Sequence, residues 1–194
     1  MTYQSAALSD DLSNLPKLPP WVTSGRAETF EDVAFRSGAT LMVLDALVSD
    51  PTHGIPVKLL ANKLALTAAT ATSKLEGRLT READIRDAFH LTPPGEARGP
   101  DGDLLAFWRN SGRLKPMDRD WQALLRHAIE PAFEDEIDIW IDAASAYAAI
   151  HGPLAGCSFV IRSVLEVDDR AERIACLLSD ILLARTLNWK TALC

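Results

Sequence analysis

The chain reads as an all-α protein, a bundle of about seven helices behind an irregular, Pro-rich N-terminal arm. Three observations predict that class. Apolar residues recur at three- and four-residue intervals along most of the sequence. Helix-starting and helix-stopping residues punctuate those runs. Alternating strands bounded by hairpin turns do not occur. With 194 residues there is enough chain to bury one sizeable core, so the expected organisation is an arm over residues 1–27 and a single helical domain over residues 28–194.

The arm contains LPKLPPW (Leu15–Trp21), a composition that favours extended backbone. Trp21 is placed either to dock the arm on its own domain or to serve a proline-recognising partner. Thr29 with Asp32 resembles a capping box, and a helix follows over about Phe30–Val48. Ala34, Gly38, Leu41, Leu44 and Val48 share one side of it, with Asp45 on the border of that stripe. Gly38 inside a helix costs about 1 kcal/mol against Ala, for which a close helix crossing is the expected compensation. Ser49–Pro56 is turn chemistry.

Residues 57–91 form the expected centre of the protein, two helices joined at Glu76-Gly77-Arg78. Leu60, Leu64, Ala68, Ala71 and Leu75 line up on one face, and the abundance of Ala and Thr there predicts a close approach by a neighbour. Gly77 suits a left-handed position after the first helix, and Thr80 is placed to cap the second. TPPGEARGPDGD (residues 92–103) then reads as a shaped loop, with Asp103 capping a short helix that carries Leu104, Leu105, Phe107 and Trp108.

Asp118 opens a helix with Trp121, Leu124, Leu125, Ala128 and Ile129, closed by Pro131. Glu134–Ile150 is the next, with Ile137, Trp140, Ile141, Ala144, Tyr147 or Ala148, and Ile150 inward, and Gly152-Pro153 ends it. Leu154–Val167 is another. After Asp168-Asp169 comes a helix with Ile174, Leu177, Leu178, Ile181, Leu182 and Leu187 and little polar face. It is expected to be either the central element of the core or the seat of a protein partner or homo-oligomer contact. The apolar ending, through Trp189, Ala192, Leu193 and Cys194, suggests a piece of a longer chain.

A net charge of −7 disfavours whole-surface binding to nucleic acid or to an anionic membrane. No apolar run is long enough for a transmembrane helix, and no secretory signal opens the chain. The cysteines, Cys157, Cys176 and Cys194, are odd in number and lack C-x-x-C spacing, which fits a reducing cytoplasm; Cys157 and Cys176 are expected to behave as small core hydrophobes.

Catalytic motifs are missing. His53, His90, His127 and His151 are scattered. The Asp87/His90 and His127/Glu130 pairs lack the order of a di-metal carboxylate site, so neither a metal nor a cofactor is predicted. No nucleophile elbow and no phosphate-binding glycine loop occur. Two charged features are candidates. Asp45, Glu76, Arg78, Arg86 and His90 could gather around the central turn, as an ion network in which Glu76 meets Arg78 or Arg81 and Asp45 meets Arg86, or as the polar lining of a ligand pocket. Arg109, Arg113, Lys115, Arg119 and Arg126 form a basic block followed by the acidic stretch Glu130–Asp142. The two blocks either face each other or leave the basic one to an acidic partner.

Several segments resemble the alphaproteobacterial domain-of-unknown-function family 1403, known mainly from rhizobia. They are LPPWV, EDVAFRSGATLMVLDALV, KLLANKLALTAATATSKLEGRLTREADIRDAFHLTPPGEARGPDGDLLAFWR, HGPLAGC and DDRAERIACLLSDILLARTLNW. The resemblance implies no activity. It does imply a bacterial protein whose relatives carry a C-terminal helix-turn-helix-like region, absent here, so nucleic acid would be met only in a longer form. The expected function is therefore a non-enzymatic regulatory or protein-interaction module, the dimerising body of a possible DNA-binding regulator. The alternative is an enzyme or small-molecule sensor with a polar pocket at Asp45, Glu76, Arg78, Arg86 and His90.

Overall fold

The computed structural model describes residues 15–24, 29–129, 133 and 135–192. The arm before Leu15, residues 25–28, Glu130, Pro131, Ala132, Glu134, Leu193, Cys194 and the side chains of His127 and Ala128 lie outside the described residues. Those described contain nine α-helices and no strand, two helices more than expected. The chain divides into two compact units with the boundary between Val57 and Lys58.

In the first unit the arm is not wholly irregular. Pro20–Thr23 forms a single helical turn, α1, with proline in its first positions, where a missing N–H is harmless. Trp21 stacks on Phe35 with ring centroids 5.1 Å apart, and an Arg36 guanidinium nitrogen donates to the Ser24 carbonyl at 3.1 Å. The long helix α2 spans Phe30–Ser49 and is capped as anticipated, Thr29 Oγ1 accepting from the Asp32 N–H at 3.1 Å. None of its 20 residues is buried. A 3₁₀ turn, Pro51–His53, follows.

The second unit holds α3 (Val57–Leu75, shared at its first residue), α4 (Glu82–His90), α5 (Gly99–Ser111), α6 (Trp121–Ala128), α7 (Glu136–His151), α8 (Pro153–Val167) and α9 (Glu172–Thr186). α8 packs on α9 and on α7, α9 also touches α7, and α4 packs on α5. The core runs through Ile85, Leu104, Trp108, Leu125, Ile137, Ile141, Val160 and Val164 to α9. In α9, Ile174, Leu177, Leu178, Ile181 and Leu182 are at most 2% exposed. This decides between the two readings of that helix. It is the centre of its own unit, and those five side chains, already covered by α7 and α8, cannot meet another molecule. Leu187, at the helix end, is 36% exposed, and Ile150 on α7 is 78% exposed, so neither is the core residue it was expected to be.

The small residues Ala65, Ala69 and Thr72 of α3 are buried, and two glycines mark further close approaches. A Cβ added to Gly156 on α8 would sit 2.5 Å from Ala148 Cβ and 3.0 Å from the Ala144 carbonyl, and one on Gly102 of α5 would lie 3.0 Å from the Ala88 carbonyl. Both glycines are buried where two backbones nearly touch. At Gly38 an added Cβ would meet nothing within 4 Å among the described residues. Two opposite outcomes follow. Gly156→Ala is expected to lower stability by about 1–3 kcal/mol through overpacking, and Gly38→Ala to raise it by up to about 1 kcal/mol through helix propensity. Urea and thermal melts monitored by far-UV circular dichroism check both.

Two boundaries differ from the sequence reading for local reasons. α5 begins at Gly99, four residues before Asp103, because Pro100 is tolerated in a first turn and Gly102 lets Ala88 approach. Thr80 does not cap α4, whose N-cap is Arg81 without a side-chain bond; its hydroxyl donates to Asp101 instead.

Candidate functional site

Gly77 sets up the central turn. Its φ of 75° is left-handed, the Gly77 N–H bonds the Lys74 carbonyl at 3.1 Å, and the Arg78 N–H bonds the Ser73 carbonyl at 2.8 Å. This is the paired bond pattern that closes a helix on a glycine. It projects Glu76 and Arg78 to the same side of the chain reversal. Arg78 donates to Glu76 Oε2 at 2.5 Å and to Asp101 Oδ1 at 2.8 Å. Arg173, at the start of α9, donates to Glu76 Oε1 at 3.0 Å. Thr80 Oγ1 adds a bond to Asp101 at 3.2 Å.

The result is a chain of four charges, Asp101–Arg78–Glu76–Arg173, joining the first turn of α5, the α3–α4 turn and the first turn of α9. Glu76 is its most enclosed member, with a side chain 13% exposed, against 28% for Arg78 and 30% for Arg173. Each Glu76 oxygen already accepts from a guanidinium, which is the geometry of a strut between helices. A bond from the Trp108 indole to Thr72 Oγ1 at 2.9 Å fastens α5 to α3 beneath it.

Of the five candidate residues, Glu76 and Arg78 come together. Arg81, at the N-cap of α4, pairs with Asp84, and Arg86 with its neighbour Asp87 at 2.9 Å. His90 is exposed, edge-on to Phe89 with centroids 5.0 Å apart. Asp45 belongs to the first unit, where it accepts from the Ser49 hydroxyl at 2.8 Å. The sequence reading missed Asp101 and Arg173. Asp101 was hidden in a glycine- and proline-rich segment. Arg173 lies 97 residues from Glu76, so no local spacing could announce the pair.

The basic block also divides. Arg126 pairs with Asp138, which takes a second bond from Gln122 at 3.0 Å, so the basic and acidic blocks meet there. Arg109 lies over the Phe89 ring at 4.8 Å, with Arg98 over the same ring at 5.0 Å. Arg113, Lys115 and Arg119 are exposed.

A different titratable cluster lies between α8 and α9. Asp180 has no hydrogen-bond donor among the described residues, and burial pushes its carboxyl up to about 7. The thiols of Cys157 and Cys176 are free, and both are raised first by burial and also by the nearby Asp180 charge. Cys157 Sγ contacts the Ser179 carbonyl at 3.5 Å. No group of three or more His, Cys, Asp or Glu side chains among the described residues is arranged to hold a metal ion.

The profile of the family described as protein of unknown function (DUF1403) matches residues 6–194. The chain belongs to that family. No curated protein matches it, and no solved structure does. In this DUF1403 chain the strut is an internal tie, with both Glu76 oxygens already taken by guanidiniums. No helix among the described residues is long and apolar enough to cross a membrane.

Proposed function

We propose that this DUF1403 chain is a non-enzymatic protein-interaction module of a cytoplasmic bacterial regulator, and that α2 is its contact surface. The observation that carries the reading is the state of α2. It has 20 residues, none of them buried, and it presents Phe30 at 93% exposure and Val33 at 49%. An apolar helix of this length gains most of its stability by packing a face against something, and contiguous exposed apolar surface marks contact sites. The free thiols of Cys157 and Cys176 suit a reducing compartment.

The test is affinity capture from a cell extract by the parent chain and by a Phe30→Asp/Val33→Asp variant, with and without nuclease. The variant is expected to retain its helical signal and to lose the captured proteins, nuclease making no difference. Capture unchanged by the double substitution removes α2 as the contact surface.

A further inference from the structure

α7 is apolar on the side that faces away from its unit as well as on the side that faces in. Its core face is Ile137, Trp140, Ile141, Ala144 and Ala148. Nearly half a revolution away stand Ile139, Ala143, Ala146 and Ile150, all exposed, the two isoleucines at 67% and 78%. At about 100° per residue these four lie within about 60° of one another. The other helices of the second unit are already placed with this stripe outside them. A helix that is apolar all round is ordinarily covered all round.

Order and charge together say what covers it. The spacing along the stripe is four, three and four residues, the same from either end, with isoleucine at both ends and alanine in the middle. Laid antiparallel on a copy of itself, each Ile139 meets the partner's Ile150 and each Ala143 the partner's Ala146. The alanines let the two axes approach closely, and the spacing is that of helices packed at a shallow angle. The N-terminal half of α7, with its cap, carries Asp135, Glu136, Asp138 and Asp142, of which Asp138 is already paired with Arg126. The half from Ala143 onwards has no acid and ends on the exposed His151. A parallel pair would crowd both sets of acids together, whereas the antiparallel pair sets each acidic half against an acid-free one. Glu136 and His151 stand on the same side of the stripe, and a two-fold axis across it brings Glu136 to within about one turn of the partner's His151. α2 does not suit this face. It has Glu31 and Asp32 at one end, and Asp45 and the C-cap Asp50 at the other, so in either direction it would lay acids on acids.

We propose that a second copy of this chain covers the stripe, α7 on antiparallel α7, in a symmetric dimer. The contact is separate from the α2 surface and leaves that surface free.

Light scattering on the full chain tests this. At about 100 μM the expected mass is that of a dimer. Ile139→Asp is expected to give a monomer with unchanged far-UV circular dichroism, because the side chain it replaces is exposed in the single chain. Phe30→Asp/Val33→Asp is expected to remain a dimer. His151→Glu is expected to raise the dissociation constant about tenfold, and Glu136→Lys added to it to restore the parent value. An Ala143→Cys chain mixed with an Ala146→Cys chain is expected to give, on oxidation, a linked product of twice the mass faster than either chain gives alone. A monomer at that concentration, a mass that climbs beyond a dimer, a dimer indifferent to Ile139→Asp, or one abolished by Phe30→Asp/Val33→Asp each overturns the proposal. The two readings fail separately. A monomer whose extract capture still depends on Phe30 and Val33 sinks only the α7 contact, while an α7 dimer with α2-independent capture sinks only the α2 reading.

Discussion

Asp180→Asn is expected to be more stable than the parent at pH 8, by about 2–4 kcal/mol, and close to it at pH 4. The folded chain holds this carboxyl in a desolvated position with no donor among the described residues, which raises it from an ordinary value of 3.8 to about 7. Below pH 3.8 both folded and unfolded forms are protonated and the site is neutral with respect to folding. As pH rises from there to 7 the unfolded chain ionises first, so stability falls by about 1.4 kcal/mol per pH unit. Above 7 the loss is constant. Asparagine resembles the protonated acid in shape and polarity, so the two proteins are close in stability at low pH and the divergence with pH is the readout. Urea titrations of both proteins across pH 4–8 should diverge steadily and then run parallel; curves parallel throughout would show Asp180 to be solvated or paired.

Glu76→Ala is expected to lose about 2–4 kcal/mol, the range for breaking an enclosed ion pair discounted for partial exposure. Its removal leaves the Arg78 and Arg173 guanidiniums facing each other without the carboxylate between them. Lys63→Ala, which deletes the 59%/45% exposed pair with Glu82, is expected to cost less than about 1 kcal/mol. Denaturant midpoints for the two variants, and a Glu76→Ala/Arg173→Met double variant that relieves one stranded charge, measure the difference. Equal losses for Glu76→Ala and Lys63→Ala would mean that the strut carries no more weight than an ordinary surface pair.

How much of this was legible depends on the physical origin of each feature. The order of helices, and most of the core in α7 to α9, follow from apolar periodicity because those helices bury their largest side chains. α3 inverts that rule. Reading Leu60, Leu64 and Leu75 as the inward face assumed that the biggest apolar groups go inside, whereas its unit takes in Ala65, Ala69, Thr72 and Ser73. Small residues admit a neighbour such as Trp108, whose indole needs the Thr72 oxygen; periodicity weighted by hydrophobicity cannot register that demand. The start of α5 was obscured because Pro100 and Gly102 are turn residues by composition, and only the nearness of Ala88 explains the glycine. Of the site, Gly77, Glu76 and Arg78 were visible because a helix stop is a local event. Asp101 and Arg173 were not, since their partners are chosen by tertiary packing.

The position of α9 has a consequence for biosynthesis. Its side chains fill the middle of the second unit, and Arg173 completes the strut begun at Glu76, yet it is translated after α3 to α8. The helices made before it have no finished interior to close upon, and loop closure over so long a separation is slow. The nascent polypeptide therefore holds the greasy surfaces of α3 to α8 open to chaperones and proteases until α9 has emerged to fill the gap between them.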